Sequence, residues 1–556
     1  MKNKDTALIN GVIYTVSGEE WHINPVQSLA YDHNGVIVAV GETDVRKVIE
    51  NGAEVINLKG KTVLPGFVDS HVHAPGTAFM EMFEADLNGI HTKQESMQIL
   101  KEFIERNPEM DAYFAGGFDV SVRDEEGNEP CAKWLDKICP DKPLVVKSSD
   151  MHSRLLNTKS MEVSGINRES NVEFGHIHRY SDGVPTGLFT DCKALPILEP
   201  EYTEKQHIDA IKAFIRKMNS WGYTSIMSIA PIMLFDPRRY IDLEAEGALS
   251  LRVNVAQMVL PHKADECIAN LKNLKTDFIN SDVRVTTGKF LVDGVLEGKT
   301  ACLKEPYCSE ADMGQDYYGK TNWEKDEMQD ATAKLINEGF QAHYHCIGDA
   351  AATMALDAIE LGQKKSGNEA LRNVITHLQI VDENDYPRFG KLKVIAAIQP
   401  FWHFKEPGWF ENIDSAVLGK ERAEKEYPAK SLAENGAVLT ASGDYPVSPS
   451  NNPFHGIQAG VTRNIYNDDY EMELQGPDDE RFLLGAQERL TLKQMIEAYT
   501  INGAYELFRE DEIGSIEPGK KADLIVIDKD IFNIDILDVH NIVVEQTIFN
   551  GKIVYC

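Results

Sequence analysis

Three His-x-His tripeptides stand out in the chain: His71-Val72-His73, His176-Ile177-His178 and His343-Tyr344-His345. Imidazole nitrogen is a common ligand for zinc and related ions, and residues i and i+2 of a strand project from one face. Each pair therefore has a geometry that grips a single ion. With 16 histidines in 556 residues, about half a pair arises by chance, so a lone tripeptide is equally a surface or core pair. Context separates the first pair from the others. It closes the apolar run Val63–His73, and further strand-like runs end near His345, near His377 in Val374-Ile-Thr-His377, and near Asp444 in Thr440-Ala-Ser-Gly-Asp444. Four imidazoles and one carboxylate make a nitrogen and oxygen set that suits zinc foremost, with manganese, iron or nickel also accommodated. A cation in such a set activates water and polarises carbonyls.

Residues so far apart in sequence need a scaffold that gathers them. Eight apolar, β-branched runs are legible: Val63–His73, Thr224–Ala230, Leu251–Val259, Val283–Val292, Phe340–Ile347, Asn373–Val381, Val394–Gln399 and Ala437–Ser442. Helical stretches separate most of them, including Glu204–Trp221, Lys325–Glu338, Ala350–Gly362 and Ala423–Asn435. Continuous apolar character marks strands buried on both faces, and alternation with helices marks a parallel sheet. The fold class is α/β, a (β/α)8 barrel, whose strand ends converge on one mouth. Short strand patterns occupy both ends of the chain, with Asn34-Gly35 and Asn550-Gly551 as hairpin turns that need positive φ at both positions. Neither end buries a core alone, so residues 1–62 and 510–556 are expected to pair as one composite β-sandwich domain. The barrel then spans 63–509. An insertion subdomain is expected at about 80–222, with strands at Tyr113–Phe118 and Leu144–Lys147.

Composition narrows the partners. Hydrophobic residues make up 42% and charged residues 26%, which excludes collagen-like and disordered classes. The formal net charge of −32 repels phosphate backbones and anionic lipid, so neither nucleic acid nor a membrane is expected as a partner. A small-molecule substrate remains, and a homo-oligomer is compatible with the chain. Eight scattered cysteines without a Cys-x-x-Cys pair fit a reducing compartment. With no signal peptide or membrane span legible, the expected location is the cytoplasm.

At this point the sequence resembles a family. Val63-Leu-Pro-Gly-Phe-Val-Asp-Ser-His-Val-His73, His345, His377, Asp444 and the segment Ile513-Gly-Ser-Ile-Glu-Pro-Gly-Lys-Lys-Ala-Asp-Leu-Ile-Val-Ile527 are similar to the amidohydrolase superfamily over nearly the whole length. Ser148-Ser-Asp-Met-His-Ser153, Asn157, Asp182-Gly-Val-Pro-Thr-Gly187 and Gln399-Pro400 resemble the branch that includes N-substituted formamide deformylase. The resemblance implies a metal-dependent hydrolase holding one or two divalent ions. It makes His71 and His73 ligands of the more buried ion, His345 and His377 ligands of the same or a second ion, and Asp444 a ligand and proton shuttle. Lys289, in Thr286-Thr-Gly-Lys289, stands where relatives carry a carboxylated lysine that bridges two metals; a buried structural or substrate-binding lysine is the alternative.

The expected reaction is cleavage of an amide-type carbon–nitrogen bond, N-acyl or N-formyl included. Asp444 would shuttle the proton and His377 would help stabilise the oxyanion. Ester hydrolysis, deamination and decarboxylation at the same site are the enzymatic alternatives, and a non-catalytic binding or regulatory protein on this fold is the other. His152, Gln399 and His403 are expected as substrate-binding donors or, equally, as structural groups. Asp349 reads as the cap of the following helix. Phe401, Trp402 and Trp409 read as core packing, and His176 and His178 as an exposed turn.

Overall fold

The computed structural model describes residues 4–148, 153–172, 176–190, 192, 194–229, 236–311, 313–448, 450–465 and 474–556. The eight apolar runs form one parallel sheet: β1 (Phe67–Val72), β2 (Tyr223–Ile229), β3 (Arg252–Met258), β4 (Arg284–Leu291), β5 (Gln341–Cys346), β6 (Val374–His377), β7 (Ile395–Ile398) and β8 (Val438–Ala441). Neighbours pair in chain order from β1 to β8. The first and last strands meet where Ser70 Oγ donates to the Ala441 carbonyl at 3.0 Å, which brings the sheet round into a barrel. All seven residues of β2 are buried, as expected of a strand with a filled interior on one side and helices on the other.

The helices follow their apolar spacing. Lys325–Asn337 buries Met328, Ala331, Thr332, Leu335 and Ile336, a stripe at intervals of three and four. Asp349–Ser366 stops at Gly367, whose φ of 67° supplies the left-handed end that a Cβ disfavours. The helix expected over Ala423–Asn435 is broken into Lys420–Ala423 and Ala429–Glu434; Pro428 between them has no N–H to continue the ladder. Asp349 is the first residue of its helix rather than the cap, and its carboxylate accepts from the Lys304 and Ala350 backbones.

The run Val63–His73 divides at Gly66. Thr62–Pro65 lies antiparallel to Leu524–Ile527 in a five-stranded sheet, and the chain then turns into β1. A Cβ on Gly66 would meet Thr224 Oγ1 at 2.3 Å, so the crossing from one sheet to the other requires glycine. A four-stranded sheet carries the other N-terminal strands. Leu8, Leu29 and Ile37 from that sheet share a core with Val63, Leu524, Val526 and Ile548 from the five-stranded one, which makes a sandwich built from both ends of the chain. At Asn550-Gly551 both turn residues have positive φ, as expected, but at Asn34-Gly35 only Gly35 does. There the Asp32 carboxylate accepts from the Asn34 and Val36 backbones and sets the turn instead. Arg252 at the start of β3 donates to Asp523 at 2.8 Å, to Asp282 at 2.7 Å and to Asn550, fastening the barrel to the five-stranded sheet.

Pro75–Phe214 form a compact unit of their own. It contains a six-stranded sheet in which Tyr113–Phe118 and Leu144–Ser148 pair in parallel. Asn157 caps the helix Thr158–Val163 through Ser160 N, and its amide donates to the Cys139 and Lys142 carbonyls. His176 and His178 lie on a strand, not in a turn; His176 is exposed, and His178 pairs with Glu129 at 3.2 Å. Among the described residues no helix is long and apolar enough to cross a membrane.

Candidate metal centre

Alternation along β1 buries His71 and presents it on the same face as His73, which follows the strand end. β6 ends on His377, and Asp444 follows β8. His377 has φ 76° and Asp444 φ 54°, left-handed conformations that cost a non-glycine residue about 1–3 kcal/mol each and gather at functional sites. These turns bring the side chains together. His71 Nε2 and His73 Nε2 each lie 3.2 Å from Asp444 Oδ1. That oxygen is buried and has no hydrogen-bond partner, so the two nitrogens are aimed beside it, not bonded to it. Ligands held about 2.1 Å from a tetrahedral zinc ion stand roughly 3.4 Å apart, and the observed spacing fits such a cation. Ligand atoms of His71, His377 and Asp444 all lie within 4.8 Å of one another.

The surroundings fix which nitrogen each imidazole offers. Gln399 Oε1 accepts from His377 Nδ1 at 2.9 Å, which leaves Nε2 with the free lone pair. His345 Nε2 donates to the Gly294 carbonyl at 3.1 Å, so its Nδ1 is the atom left to bind an ion, and the His345 and His377 ring centroids lie 4.5 Å apart. Asp69 accepts from the His71 backbone at 2.9 Å and from Asn451 at 2.7 Å, locking the end of β1. Asp293 accepts from the Cys302, Ile347 and Gly348 backbones and sets the loops that flank His345.

Burial governs the charges. It holds the imidazoles of His71 and His377 well below their ordinary pKa, with Lys289 and the neighbouring histidines adding to the effect, and takes His345 down to about 4. Neutral imidazole is the form that binds a cation. Burial also raises the Asp444 carboxyl, but the close approach of His73 and the charges of His73, His377 and Lys289 outweigh it and hold the group below the usual carboxylate range. Lys289 lies beside His343 in the β4–β5 register, and burial pushes its amine down to about 7. Its Nζ is buried without a hydrogen-bond partner.

Among the sequence expectations, His71, His377 and Asp444 bring ligand atoms within 4.8 Å of one another, His73 approaches Asp444 at 3.2 Å, the His345 ring lies against that of His377, and Lys289 is buried on β4 beside His343. Gln399 is corrected. Its Oε1 accepts from His377 and its two N–H groups donate to Thr376 Oγ1 at 3.1 Å and Ser442 Oγ at 2.9 Å, so it orients a histidine and has no N–H left to donate to a substrate. His403 is buried and stacks on Tyr427 at 4.9 Å, and both of its ring nitrogens are buried without a hydrogen-bond partner. His152 lies outside the described residues. Trp402 stacks on His377 at 5.6 Å and Phe401 is buried, whereas Trp409 is exposed rather than core. Sequence reasoning missed Asp69, Asn451 and Glu506, and it noted His343 only as the partner of His345 in a His-x-His pair. His343 carried a signal, since it shares a strand face with His345; a lone buried Glu in a helix carried none.

An eight-stranded barrel with a histidine–carboxylate cluster at the strand ends defines a metal-dependent hydrolase scaffold. A family model described as the amidohydrolase family matches residues 54–555, and the chain belongs to that family. The Bacillus subtilis protein YtcJ is 27% identical, with 98% of each chain covered. N-substituted formamide deformylase of Arthrobacter pascens is 23% identical, covering 99% of this chain and 98% of the relative. Among solved structures, an uncharacterized metal-dependent hydrolase from Pyrococcus furiosus superimposes with a TM-score of 0.73 at 26% identity, covering 95% of this chain and 99% of that one.

Proposed function

We propose that the protein hydrolyses a non-peptide amide bond, N-acyl or N-formyl, in a small-molecule substrate, at a zinc site held by His71, His73, His377 and Asp444, with His345 completing the set. The observation that carries this reading is the pair of 3.2 Å approaches to a buried Asp444 oxygen that has no hydrogen bond. The bound cation would supply Lewis acidity toward the substrate carbonyl and lower the pKa of water. The chain supplies the rest. Asp444, kept ionised, accepts the proton of the attacking water and returns it to the departing nitrogen. Gln399 keeps the His377 lone pair turned inward, and burial excludes bulk water from His71. Burial pushes the Lys289 amine down to about 7, which favours the neutral form that carboxylation to a bridging carbamate requires.

The test combines metal analysis of the purified protein with a screen of N-formyl, N-acyl and cyclic amides for amine release. Stoichiometric divalent metal and metal-dependent amine release support the reading. Bound metal without turnover of any acylated amine favours the non-catalytic alternative, and ester or deamination products redirect the reaction class. Native mass spectrometry showing one metal per chain and an unmodified Lys289 would remove the carbamate bridge.

A further inference from the structure

The barrel interior below the cluster holds a second line of polar groups that the proposed reaction does not use. His343 lies on β5 two residues before His345, on the same face, and is fully buried. Its Nε2 stands 3.0 Å from His71 Nδ1. Its Nδ1 faces Glu506 Oε1 at 3.9 Å, and both atoms are buried without a hydrogen-bond partner. Glu506, also fully buried, ends the helix Ile501–Glu506. Its other carboxylate oxygen accepts from Thr440 Oγ1 on β8 at 2.5 Å, and its backbone carbonyl accepts from Gln341 on β5 at 3.2 Å. The helix end is thus pinned to two barrel strands, and the carboxylate is held inside the ring.

Tautomer logic gives this line one direction. His71 Nε2 is the nitrogen beside Asp444, so if it keeps its lone pair for a cation the ring proton sits on Nδ1 and donates to His343 Nε2. His343 then carries its own proton on Nδ1, pointed at Glu506. Glu506, with Thr440 donating to its far oxygen, presents the near oxygen as acceptor. In the opposite tautomers His71 Nε2 bears a proton toward the cation site and Glu506 faces a bare nitrogen lone pair. We infer that His343 and Glu506 form a positioning relay behind His71, holding the tautomer in which its Nε2 faces the cation. The inference rests on the reading of His71 as a ligand. With a cation held by His71, each N–H donor in the line would be strengthened and the 3.9 Å approach of His343 to Glu506 would shorten.

The test measures Zn2+ affinity of the metal-stripped protein by chelator competition, together with the downfield imidazole N–H proton signals of the Zn2+-loaded protein. Glu506→Gln, close in shape and expected to fold, weakens Zn2+ by about 10- to 100-fold with stoichiometry unchanged, the range for groups that orient a ligand. His343→Leu does the same and removes one solvent-protected N–H signal. The double variant is no weaker than the worse single one, because both act through one chain of contacts. Glu506→Asp recovers part of the lost affinity. Should His71→Ala weaken Zn2+ severely while Glu506→Gln and His343→Leu, both folded by circular dichroism, bind like wild type, the relay is overturned and the cation site stands. Should His71→Ala itself leave affinity unchanged, the reading beneath the relay fails. If His343→Leu does not fold, Thr440→Val, which removes only a hydroxyl, carries the test: about threefold or greater weakening supports the relay, and none overturns it.

Discussion

Replacing Gln399 with leucine tests whether the site is organised from behind its ligands. The side chain is fully buried and makes three hydrogen bonds, to His377 Nδ1 at 2.9 Å, Thr376 Oγ1 at 3.1 Å and Ser442 Oγ at 2.9 Å. Leucine strands the His377 N–H, at about 1–3 kcal/mol, and forfeits bonds to two hydroxyls worth about 1 kcal/mol each. The imidazole is then free to rotate or change tautomer. A lost orienting partner of this kind weakens metal binding about 10- to 100-fold, or roughly 1.4–2.8 kcal/mol. Chelator competition on the stripped protein measures that loss, and urea unfolding without metal measures the stability cost. Gln399→Glu separates the two effects: its carboxylate still accepts from His377 Nδ1 but no longer donates to the hydroxyls, so it keeps most of the metal affinity at reduced stability. A folded Gln399→Leu protein with wild-type affinity would refute the orienting role.

Three further outcomes are expected. Asp444→Asn keeps the fold but lowers kcat about 100- to 10,000-fold in steady-state assays of amine release, since an amide does not take the proton; near-normal turnover contradicts the shuttle. Arg252→Met leaves Asp523 buried without its partner and destabilises by about 3–5 kcal/mol in chemical denaturation, and Arg252→Met combined with Asp523→Leu recovers much of it; an undiminished midpoint in the single variant contradicts the bridge. His345, held neutral by burial and then by Lys289, has a folded pKa of about 4 against 6.5 when free. Between those values the unfolded chain binds this proton and the folded chain does not, so metal-free stability falls as pH drops through that window, by about 3 kcal/mol from this group. In His345→Asn the wild-type-minus-variant difference shrinks as pH falls from 6.5 to 4; a difference that stays flat contradicts the assignment.

The barrel was legible because strands buried on both faces must be apolar throughout, and each of the eight runs holds one barrel strand, the first of them also a strand of the sandwich. The candidate ligands were legible because strand ends in a barrel share one mouth, so His345, His377 and Asp444 needed only their position in the order of runs. What the sequence concealed depends on direction. Gln399 reads as a polar group beside a pocket until its amide is seen spent on His377. Glu506 carries no signal in the sequence, because nothing local reveals that Gly503 packs against Val68 and turns that face inward. The break at Gly66 was hidden inside a continuous apolar run, since both sheets that share Val63–His73 demand apolar residues.

The measurement that bears most directly on the account is a Zn2+ titration of the metal-stripped protein by calorimetry, run in parallel on wild type, His71→Ala and Asp444→Asn. Saturable binding of one or two ions per chain in the wild type, weakened at least tenfold in both folded variants, is the predicted result. Equal binding in all three, or none in the wild type, would contradict the claim that these side chains converge to hold a cation.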